Sequence, residues 1–386
     1  MSDFSLKYYQ NAYLKEYEST VVSCEENKGL FEIVLDDTIF YPEGGGQSSD
    51  KGYLDDSEVV DVQEVNDRVV HYCKKPLETG KKVVGKIDWR RRFDNMQNHT
   101  GEHIVSGLIH KLFGYENVGF HMGEVIQIDF NGPLTDEQVR EVERLANETI
   151  EANVEVVSLY PDVEELKNID YRSKKELKGQ VRLVEVPEAD VCACCGTHVN
   201  STGEVGYIKI LSCEKHKNGV RIQMLSGNKA RKYMNEVYRE NLAISNMLSA
   251  PMLNTSEYVR NLQERNGQLL SELNQFKEKY LYSLMSEIED GQKLCLQFIK
   301  GFDRISYTKF ANSLLESGKG KVVGILNENA NGYEYLFISR EINLREHVKA
   351  INERLNGRGG GKDNIIQGSL KSSEEEIREV LEEIFG

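Results

Sequence analysis

Short runs of β-branched and apolar residues, separated by turns, fill the first quarter of the chain. The runs lie at residues 21–24, 30–35, 58–65, 68–73 and 82–87. Residues 26–29 and 66–67 are polar or glycine-containing and supply turns between them. Many short strands at this spacing predict a small β-barrel or sandwich over residues 1–90.

The hydrophobic period becomes helical after residue 98. Ile104, Leu108 and Leu112 recur at every fourth position, and Gly114 then ends the predicted helix. A hairpin at 118–130, a capped helix at 135–153 and further strands are predicted next, the strands at 154–159, 181–186, 206–211 and 220–225. Residues 91–235 are therefore predicted to form an α+β domain with a mostly antiparallel sheet and helices on one side.

Residues 236–290 read as a long helical region interrupted by Pro251. Beyond the proline a seam of residues steps by three and four: Val259, Leu262, Asn266, Leu269, Leu273, Phe276 and Tyr280. This period predicts a coiled-coil-like linker, paired either within the chain or with a second copy. We favour the second copy, which makes a homodimer through this helix and the C-terminal domain the expected assembly.

Residues 291–386 return to a mixed α/β pattern. Strands are predicted at 294–300, 322–326 and 335–338, and helices at 307–317, 344–355 and 374–385. Between the last two helices lies a glycine run that carries Arg358 and Lys362. It is either a plain flexible loop or a loop that holds an anion such as a phosphate.

Composition describes an ordinary globular protein of several domains. The 386 residues are 39% hydrophobic and 29% charged, and the seven cysteines cluster partly at 192–195. An odd cysteine number and the lack of a signal sequence or a long apolar run predict a cytoplasmic chain without a membrane partner. A net charge of −15 argues against nucleic acid in general, but basic clusters at 81–92, 174–182 and 229–232 could follow phosphates.

Two histidine-containing stretches carry the candidate chemistry. His99 and His103 stand four residues apart on the predicted helix, and Cys194 and His198 repeat that offset. Three imidazoles and a thiolate form a donor set suited to zinc. Cys192 and Cys195 are also within reach of such a metal.

Residues 99–103 also fit the H-x-x-E-H pattern of one class of zinc metalloproteases. In that alternative Glu102 is the base and a downstream carboxylate, Glu176 or Glu185, completes the zinc site. The protease alternative leaves Cys194, His198 and both glycine runs unexplained.

A loop of three glycines inside the predicted barrel is the second candidate. Gly44, Gly45 and Gly46 follow Pro42 and precede Gln47. Consecutive glycines let the backbone take positive φ and come close to a ligand. The alternative is a flexible loop tip.

Four motifs, taken in order, resemble the long-form AlaX-type alanyl-tRNA editing proteins, relatives of the editing half of alanyl-tRNA synthetase. They are residues 40–47, residues 88–103 with Asp88, Trp89, Arg92 and the two histidines, residues 194–199, and residues 357–362. The resemblance covers nearly the whole chain, and its tail from 291 is similar to the DHH-associated domain of the synthetase. No aminoacylation domain precedes the barrel, so the chain is not expected to charge tRNA.

The resemblance implies one zinc ion per chain, held by His99, His103, Cys194 and His198. It implies hydrolysis of the ester of tRNA(Ala) that carries serine, or glycine, while alanine is spared. A site made for alanine cannot strongly exclude serine, so a second site must sort by the hydroxyl. The C-terminal domain, with Arg358 and Lys362 in its glycine run, would hold the tRNA.

Other site residues are candidates on their own chemistry. Glu102 is either a general base or a surface residue of the helix, and with His103 it makes up the catalytic candidates. The loop's shape and the resemblance suggest that Gly44, Gly45, Gly46 and Gln47 line the amino-acid pocket. Thr100 and His121 are also expected to line it, the alternative for His121 being a structural histidine of the hairpin. Related synthetases have threonine in place of Glu102 and often glycine in place of Cys195. Since four protein ligands fill a tetrahedron, either His198 is loosely bound or zinc orients the substrate. A tRNA-binding module with a purely structural zinc is the remaining alternative.

Overall fold

The computed structural model describes residues 4–173 and 180–386, so Glu176 and most of the basic cluster at 174–182 lie outside the described residues. The chain divides into two compact units, Met1–Ala243 and Ile244–Gly386. Among the helices of the described ranges, none combines the length and the apolar character needed to cross a bilayer. The three domain boundaries near residues 90, 235 and 290 remain predictions.

The first unit opens with a short helix, α1 (Lys7–Gln10), and a closed six-stranded barrel. The strands are β1 (Glu16–Asn27), β2 (Leu30–Leu35), β3 (Gly52–Leu54), β4 (Ser57–Val65), β5 (Arg68–Cys73) and β6 (Lys82–Ile87). They close in the order β1-β2-β5-β4-β3-β6, with antiparallel pairing throughout. All five strands predicted for this region are present, and their closed order shows a barrel and not a sandwich. The short β3 was missed because three residues show no period.

His71 lies inside the barrel and is fully buried. Its Nδ1 donates to the Ile33 carbonyl at 3.0 Å, and its Nε2 accepts from the Thr38 hydroxyl at 2.8 Å. Burial lowers the pKa of His71 to about 4, while the bond to the Ile33 carbonyl opposes that shift. The folded barrel therefore holds a neutral imidazole.

We expect the free energy of unfolding to fall by about 2 kcal/mol between pH 7 and pH 5 because of His71 alone. An unfolded histidine takes up a proton below about pH 6.5, whereas His71 in the barrel does so only near pH 4. The stability is thus complete above pH 6.5 and is lost as the pH falls towards 4. Urea titrations of His71→Gln should show a flatter pH profile, and the exposed His121→Gln should follow the wild type. Equal profiles for His71→Gln and wild type would contradict this account.

A 25-residue helix, α2 (Trp89–Phe113), follows the barrel. Asp88 caps its start by accepting a hydrogen bond from the Arg91 amide, and Gly114 ends it with φ 69°. Most of α2 from Asn95 to Ile109 is buried. It therefore forms the central helix of this unit rather than a surface helix.

Two antiparallel sheets and three helices complete the first part of the chain. The elements are β7 (Asn117–Met122), β8 (Ile126–Phe130), α3 (Asp136–Glu151), β9 (Val157–Leu159), α4 (Val163–Leu166), β10 (Leu183–Val186), β11 (Asp190–Ala193), β12 (Ile208–His216), β13 (Gly219–Ser226) and α5 (Gly227–Leu248). One sheet has the order β12-β13-β8-β7 and the other β11-β10-β9. The predicted α+β arrangement and the Thr135 capping box of α3 are confirmed. Strand β11 was not predicted because four residues are too few to show a period in the sequence.

The second unit contains the long helix α6 (Thr255–Glu287), which a single 3₁₀ turn separates from α5 near Pro251. The predicted seam lies on the surface of this unit, with Leu262 57% and Phe276 67% exposed. The helix is confirmed. Its pairing as a coiled coil remains a prediction.

A five-stranded sheet forms the core of the second unit. Its elements are β14 (Gln292–Lys300), α7 (Arg304–Glu316), β15 (Gly320–Asn329), β16 (Gly332–Ser339), α8 (Val348–Arg354), β17 (Arg358–Lys362), β18 (Ile365–Leu370) and α9 (Glu374–Phe385). The order is β14-β15-β16-β18-β17, with only β14 and β15 parallel. Val322 packs with α8 and α9, whereas the next residue, Val323, packs with α7. Helices thus cover both faces, as predicted for an α/β domain.

The predicted glycine loop at 357–362 was wrong in its local structure, since these residues form the edge strand β17. A Cβ added at Gly359 would lie 2.1 Å from the Tyr335 hydroxyl oxygen, so only glycine allows β17 to cross this ring. The glycines that suggested a loop instead allow close packing. Arg358 and Lys362 are exposed on this edge.

Candidate active site

Helix α2 and the segment after β11 bring four ligand-type side chains together. The ligand atoms of His99, His103, Cys194 and His198 all lie within 4.8 Å of one another. Cys194 Sγ lies 3.4 Å from His99 Nε2 and 3.8 Å from His198 Nε2. The three imidazoles are buried and Cys194 is partly buried. The two pairs predicted from their spacing therefore form one cluster.

Partners outside the cluster orient two of the three imidazoles. His99 Nδ1 donates to Gln47 Oε1 at 3.0 Å, and His103 Nδ1 pairs with Asp190 Oδ2 at 2.8 Å. A bond at Nδ1 leaves Nε2 as the ligand atom. His198 Nδ1 is buried and has no hydrogen-bond partner among residues 4–173 and 180–386.

The charges within the cluster fit a divalent metal. Burial alone would raise the pKa of Cys194, but the neighbouring imidazoles of His99, His198 and His103 bring it well below its ordinary value. Burial likewise acts to lower the pKa of His103, but Cys194 and Asp190 raise it to about 9. Because cysteine binds metals as the thiolate, the lowered pKa of Cys194 favours metal binding at this cluster. Three histidines and one thiolate are donors that zinc prefers.

Asp190 and Arg172 form a buried ion pair behind His103. Arg172 Nε lies 2.7 Å from Asp190 Oδ1, and Arg172 Nη2 lies 2.8 Å from Asp190 Oδ2. Burial would raise the pKa of Asp190, but His103 and Arg172 hold it below its ordinary value. The carboxylate therefore stays charged and fixes the ring of His103. Sequence reasoning missed both residues because no spacing links them to the histidines.

We expect Asp190→Asn to weaken zinc binding by about 10- to 100-fold, the usual cost of losing a partner that orients a ligand. Competition with a chromophoric chelator measures this affinity. Asp129→Asn is the matched control, since Asp129 also pairs with an arginine, Arg221, but lies on β8 away from the cluster. Equal affinities for Asp190→Asn and the wild type would show that His103 needs no such partner.

A cavity of about 600 Å³ adjoins the cluster and is lined by His99, His103 and Cys194 together with the Gly44–Gly46 loop. Gly46 has φ 83°, and a Cβ there would lie 2.3 Å from Phe120. Its carbonyl accepts a hydrogen bond from the Met122 amide at 3.2 Å. The barrel loop thus reaches β7 and closes one side of the cavity, as a shaped loop and not a flexible tip.

The structure places the other predicted pocket residues differently. Gln47 is fully buried, and it bonds His99 and Thr197. Thr100 is buried and accepts the Val199 amide hydrogen bond. His121 is exposed on β7 and is not among the lining residues of this cavity.

Glu102 is a buried residue of α2 and is not among the residues that line this cavity. Its Oε1 accepts hydrogen bonds from Ser106 Oγ at 2.7 Å and from Asn117 Nδ2 at 2.6 Å. Asn117, which was not predicted, lines the cavity. Glu102 therefore reaches the cavity through Asn117.

The neighbouring cysteines differ in state. Burial raises the pKa of Cys192 well above its ordinary value, so it remains a thiol. It could contribute to a second group of ligand atoms with His103 and Asp190. Asp190 is already held by Arg172, whereas Cys194 lies in the group with all three histidines.

Comparisons with known proteins show which families the chain resembles. Family models match at residues 6–91 (tRNA synthetases class II (A)), 181–223 (Threonyl and Alanyl tRNA synthetase second additional domain) and 291–386 (DHHA1 domain). Alanyl-tRNA editing protein AlaX-L of Pyrococcus horikoshii is 32% identical over 97% of this chain and 96% of its own length. Alanyl-tRNA editing protein Aarsd1 of Bos taurus is 34% identical over 66% of this chain and 62% of its own length. An alanine–tRNA ligase of Ignicoccus hospitalis is 30% identical over 98% of this chain, which spans 42% of that ligase.

The fold and the three family models together show a multidomain protein whose domains are like those of tRNA synthetases. The long relative matches almost from end to end. The chain belongs to the AlaX-type alanyl-tRNA editing proteins, as the sequence motifs predicted.

Proposed function

We propose that the chain is a trans-editing hydrolase that deacylates wrongly charged tRNA(Ala), chiefly Ser-tRNA(Ala) and secondarily Gly-tRNA(Ala). The observation that carries the proposal is the cluster of His99, His103, Cys194 and His198 at the wall of a cavity, in a chain of this family. A donor set with an adjoining cavity of about 600 Å³ suits a small esterified amino acid.

One zinc ion is proposed as the cofactor, held by these four side chains. Bound there, zinc would supply a Lewis acid for the ester carbonyl. Gln47 and Asp190 keep His99 and His103 in the tautomer that presents Nε2. Because the three imidazole rings are buried, bulk water has little access to compete with them for the zinc ion.

Amino-acid selection is proposed to take place in the cavity lined by Gly44–Gly46. The backbone of this loop and Asn117 offer hydrogen-bonding groups to a serine hydroxyl. Gln47 and Thr100 are buried behind the residues that line the cavity, so they are proposed to act on it indirectly. His121 lies on β7. Glu102 is proposed to tune the site through the Asn117 amide that it holds.

Since Gln47 positions both His99 and Thr197, Gln47→Ala should reduce the preference for serine over alanine esters, and unchanged discrimination would count against this role.

The second unit is proposed to bind the tRNA body and to form a dimer. Arg358 and Lys362 offer exposed positive charge on β17. The apolar stripe on α6 suits the same stripe of a second copy, because its residues repeat at heptad spacing.

Sedimentation of Leu269→Lys should show a smaller species than the wild type. An unchanged mass would remove this stripe from the interface.

The deciding experiment measures deacylation of radiolabelled Ser-tRNA(Ala), Gly-tRNA(Ala) and Ala-tRNA(Ala), with and without a zinc chelator. We expect chelator-sensitive loss of serine, slower loss of glycine, and retention of alanine. Loss of none of the three, with tRNA still bound, would favour a binding module whose four-ligand zinc is structural. The protease alternative is disfavoured for Glu185, since Cys194 and His198 join His99 and His103 in the cluster of the described residues, while Glu176 lies outside them.

A further inference from the structure

Two basic segments that are far apart in the sequence meet at one surface groove of the first unit. They belong to the basic clusters at 81–92 and 229–232, and they come from the start of α2 and from α5. The groove, called the α5 groove below, has a volume of about 240 Å³. Its charged lining residues are Arg90, Arg231, Lys232, Glu236 and Arg239. Four cations and a single carboxylate therefore line it among the described residues, in a chain whose net charge is −15.

Hydrogen bonds between α2 and α5 fix this arrangement. The Asn228 backbone N–H donates to Gln97 Oε1 at 3.0 Å, and Asn228 Nδ2 donates to Asp94 Oδ1 at 2.9 Å. Asn228 Oδ1 in turn accepts a hydrogen bond from Arg231 Nη2 at 2.8 Å. The start of α5 is thus held against α2, and the guanidinium of Arg231 is held at the groove.

The positive charge of the α5 groove is poorly neutralised. All four cations are exposed, and three of them form no ion pair within residues 4–173 and 180–386: Arg90, Arg231 and Arg239. Lys232 Nζ approaches Glu236 only to 4.0 Å. Helix α3 shows the contrast, because its exposed Arg140 and Arg144 both pair with glutamates of the same helix. An anion that enters the α5 groove is therefore attracted by several uncompensated charges at once.

The spread of these cations favours a chain of phosphates over a single one. Arg231 and Arg239 are eight residues apart on α5, which is about 12 Å along the helix axis. Exposed cations bind one isolated anion weakly, because water and salt screen each pair. A nucleic-acid backbone presents successive phosphates and releases counterions at each contact, so exposed cations in a row act together on it. Arginine suits this role, since its planar guanidinium can donate two hydrogen bonds to one phosphate.

The α5 groove lies on the other side of α2 from the metal-type cluster. Gln97 lines a cavity that shares Arg231 with the groove, and His99 follows Gln97 by two residues. Two residues turn a helix by about 200°, so these two side chains leave α2 on opposite sides. None of the described residues lines both the α5 groove and the cavity at Gly44–Gly46. The groove is therefore separate from the place proposed for the ester.

We propose that the α5 groove binds the phosphate backbone of the tRNA at a place remote from its acylated end. Arg90, Arg231 and Arg239 contact successive phosphates there. The first unit then has an RNA contact of its own, in addition to the one proposed for the second unit. This inference rests on the proposed function, which supplies RNA as the ligand, and it adds the surface that holds the RNA beside the editing site.

The test measures binding of fluorescein-labelled, unacylated tRNA(Ala) to the zinc-loaded full chain by fluorescence anisotropy at several salt concentrations. The double variant Arg231→Gln with Arg239→Gln removes two phosphate contacts. We expect its Kd to rise about tenfold near physiological salt, and the slope of log Kd against log salt to fall by about 1.5. Replacing the same two residues by lysine keeps the charge and should restore most of the salt slope.

The matched control is the double variant Arg140→Gln with Arg144→Gln. It removes the same charge from an exposed helix of the same unit, but these arginines line neither the α5 groove nor the cavity at the cluster. Its Kd should stay within about twofold of the wild type. A tRNA that lacks its three terminal nucleotides should show the same loss with the groove variant, because the proposed contacts lie away from the acylated end.

Four results would overturn the proposal. They are an unchanged Kd and salt slope in the groove variant, an equal loss in the α3 control, a loss that disappears with the truncated tRNA, and displacement of the RNA by polyglutamate as readily as by unlabelled tRNA. The last result would assign the groove to acidic polypeptides.

Kinetics separate this inference from the proposed function. The groove variant should raise the KM for Ser-tRNA(Ala) and leave kcat unchanged, because the groove does not touch the cluster. If Ser-tRNA(Ala) is deacylated with an unchanged KM, the groove is wrong and the hydrolase stands. If the variant loses tRNA binding as expected but the wild type cleaves no seryl ester, the groove stands and the hydrolase is wrong.

Discussion

Replacing His103 by alanine is expected to lower zinc affinity by more than about a hundredfold, because the loss of an outer partner alone costs 10- to 100-fold. The change removes one of four donors and leaves the Asp190 carboxylate without the imidazole that it orients. Deacylation of Ser-tRNA(Ala) should fall together with the zinc content. Metal analysis and the tRNA assay on the same preparation measure both.

The control for this variant is His216→Ala. His216 also faces an aspartate, Asp129, at 3.6 Å, but it lies on β12 and is not part of the cluster. It should keep zinc and activity. Full activity of a zinc-free His103→Ala protein would refute the metal centre as the basis of hydrolysis.

Asp50→Ala is expected to destabilise the first unit by about 3–5 kcal/mol, because it leaves the buried Arg92 charge without its partner. Both side chains are inaccessible to solvent, and Arg92 Nε lies 3.1 and 3.0 Å from the two carboxylate oxygens of Asp50. Arg92 also donates to the carbonyls of Ala12 and Ile39. The pair therefore joins α2 to the barrel. Urea unfolding followed by circular dichroism measures the loss.

An exposed ion pair of the same barrel provides the comparison. Lys82 and Glu18 are 2.7 Å apart, but their side chains are 72% and 56% exposed. Glu18→Ala should change the free energy of unfolding by less than about 1 kcal/mol. A loss of that small size for Asp50→Ala would mean that Arg92 finds other partners or water.

The sequence predicted one half of the candidate metal cluster because a helix brings residues four apart onto one face, and His99 and His103 lie on α2. Cys194 and His198 were paired by the same offset, but they lie in an irregular segment after β11, so the helical rule does not explain their contact. Asp190 and Arg172 could not be predicted, since their contact depends on how β11 packs against α2. Tyr9 of α1 also lines the cavity beside the cluster, and it was missed because a short N-terminal segment gives no periodic signal.

The same distinction applies to the fold. Short runs of β-branched residues and the four-residue recurrence of apolar residues along α2 are local patterns. They were sufficient to predict the barrel strands and the helix. Glycines at 357–362 gave a wrong loop, because their need arises from the Tyr335 ring across the sheet and not from their neighbours in sequence. The heptad-spaced seam of α6 is equally clear in the sequence. Its spacing shows that the helix has an apolar face, but it does not show what packs against that face.

The five-stranded sheet of the second unit differs from the closed barrel because it has an open edge at β17. Free backbone N–H and C=O groups on such an edge can recruit strands from other chains, which is how many aggregates begin. Three consecutive glycines give β17 little side-chain surface to share, and Arg358 and Lys362 place a positive charge at each end. The residues that fit this strand over Tyr335 therefore also make it a poor template for aggregation.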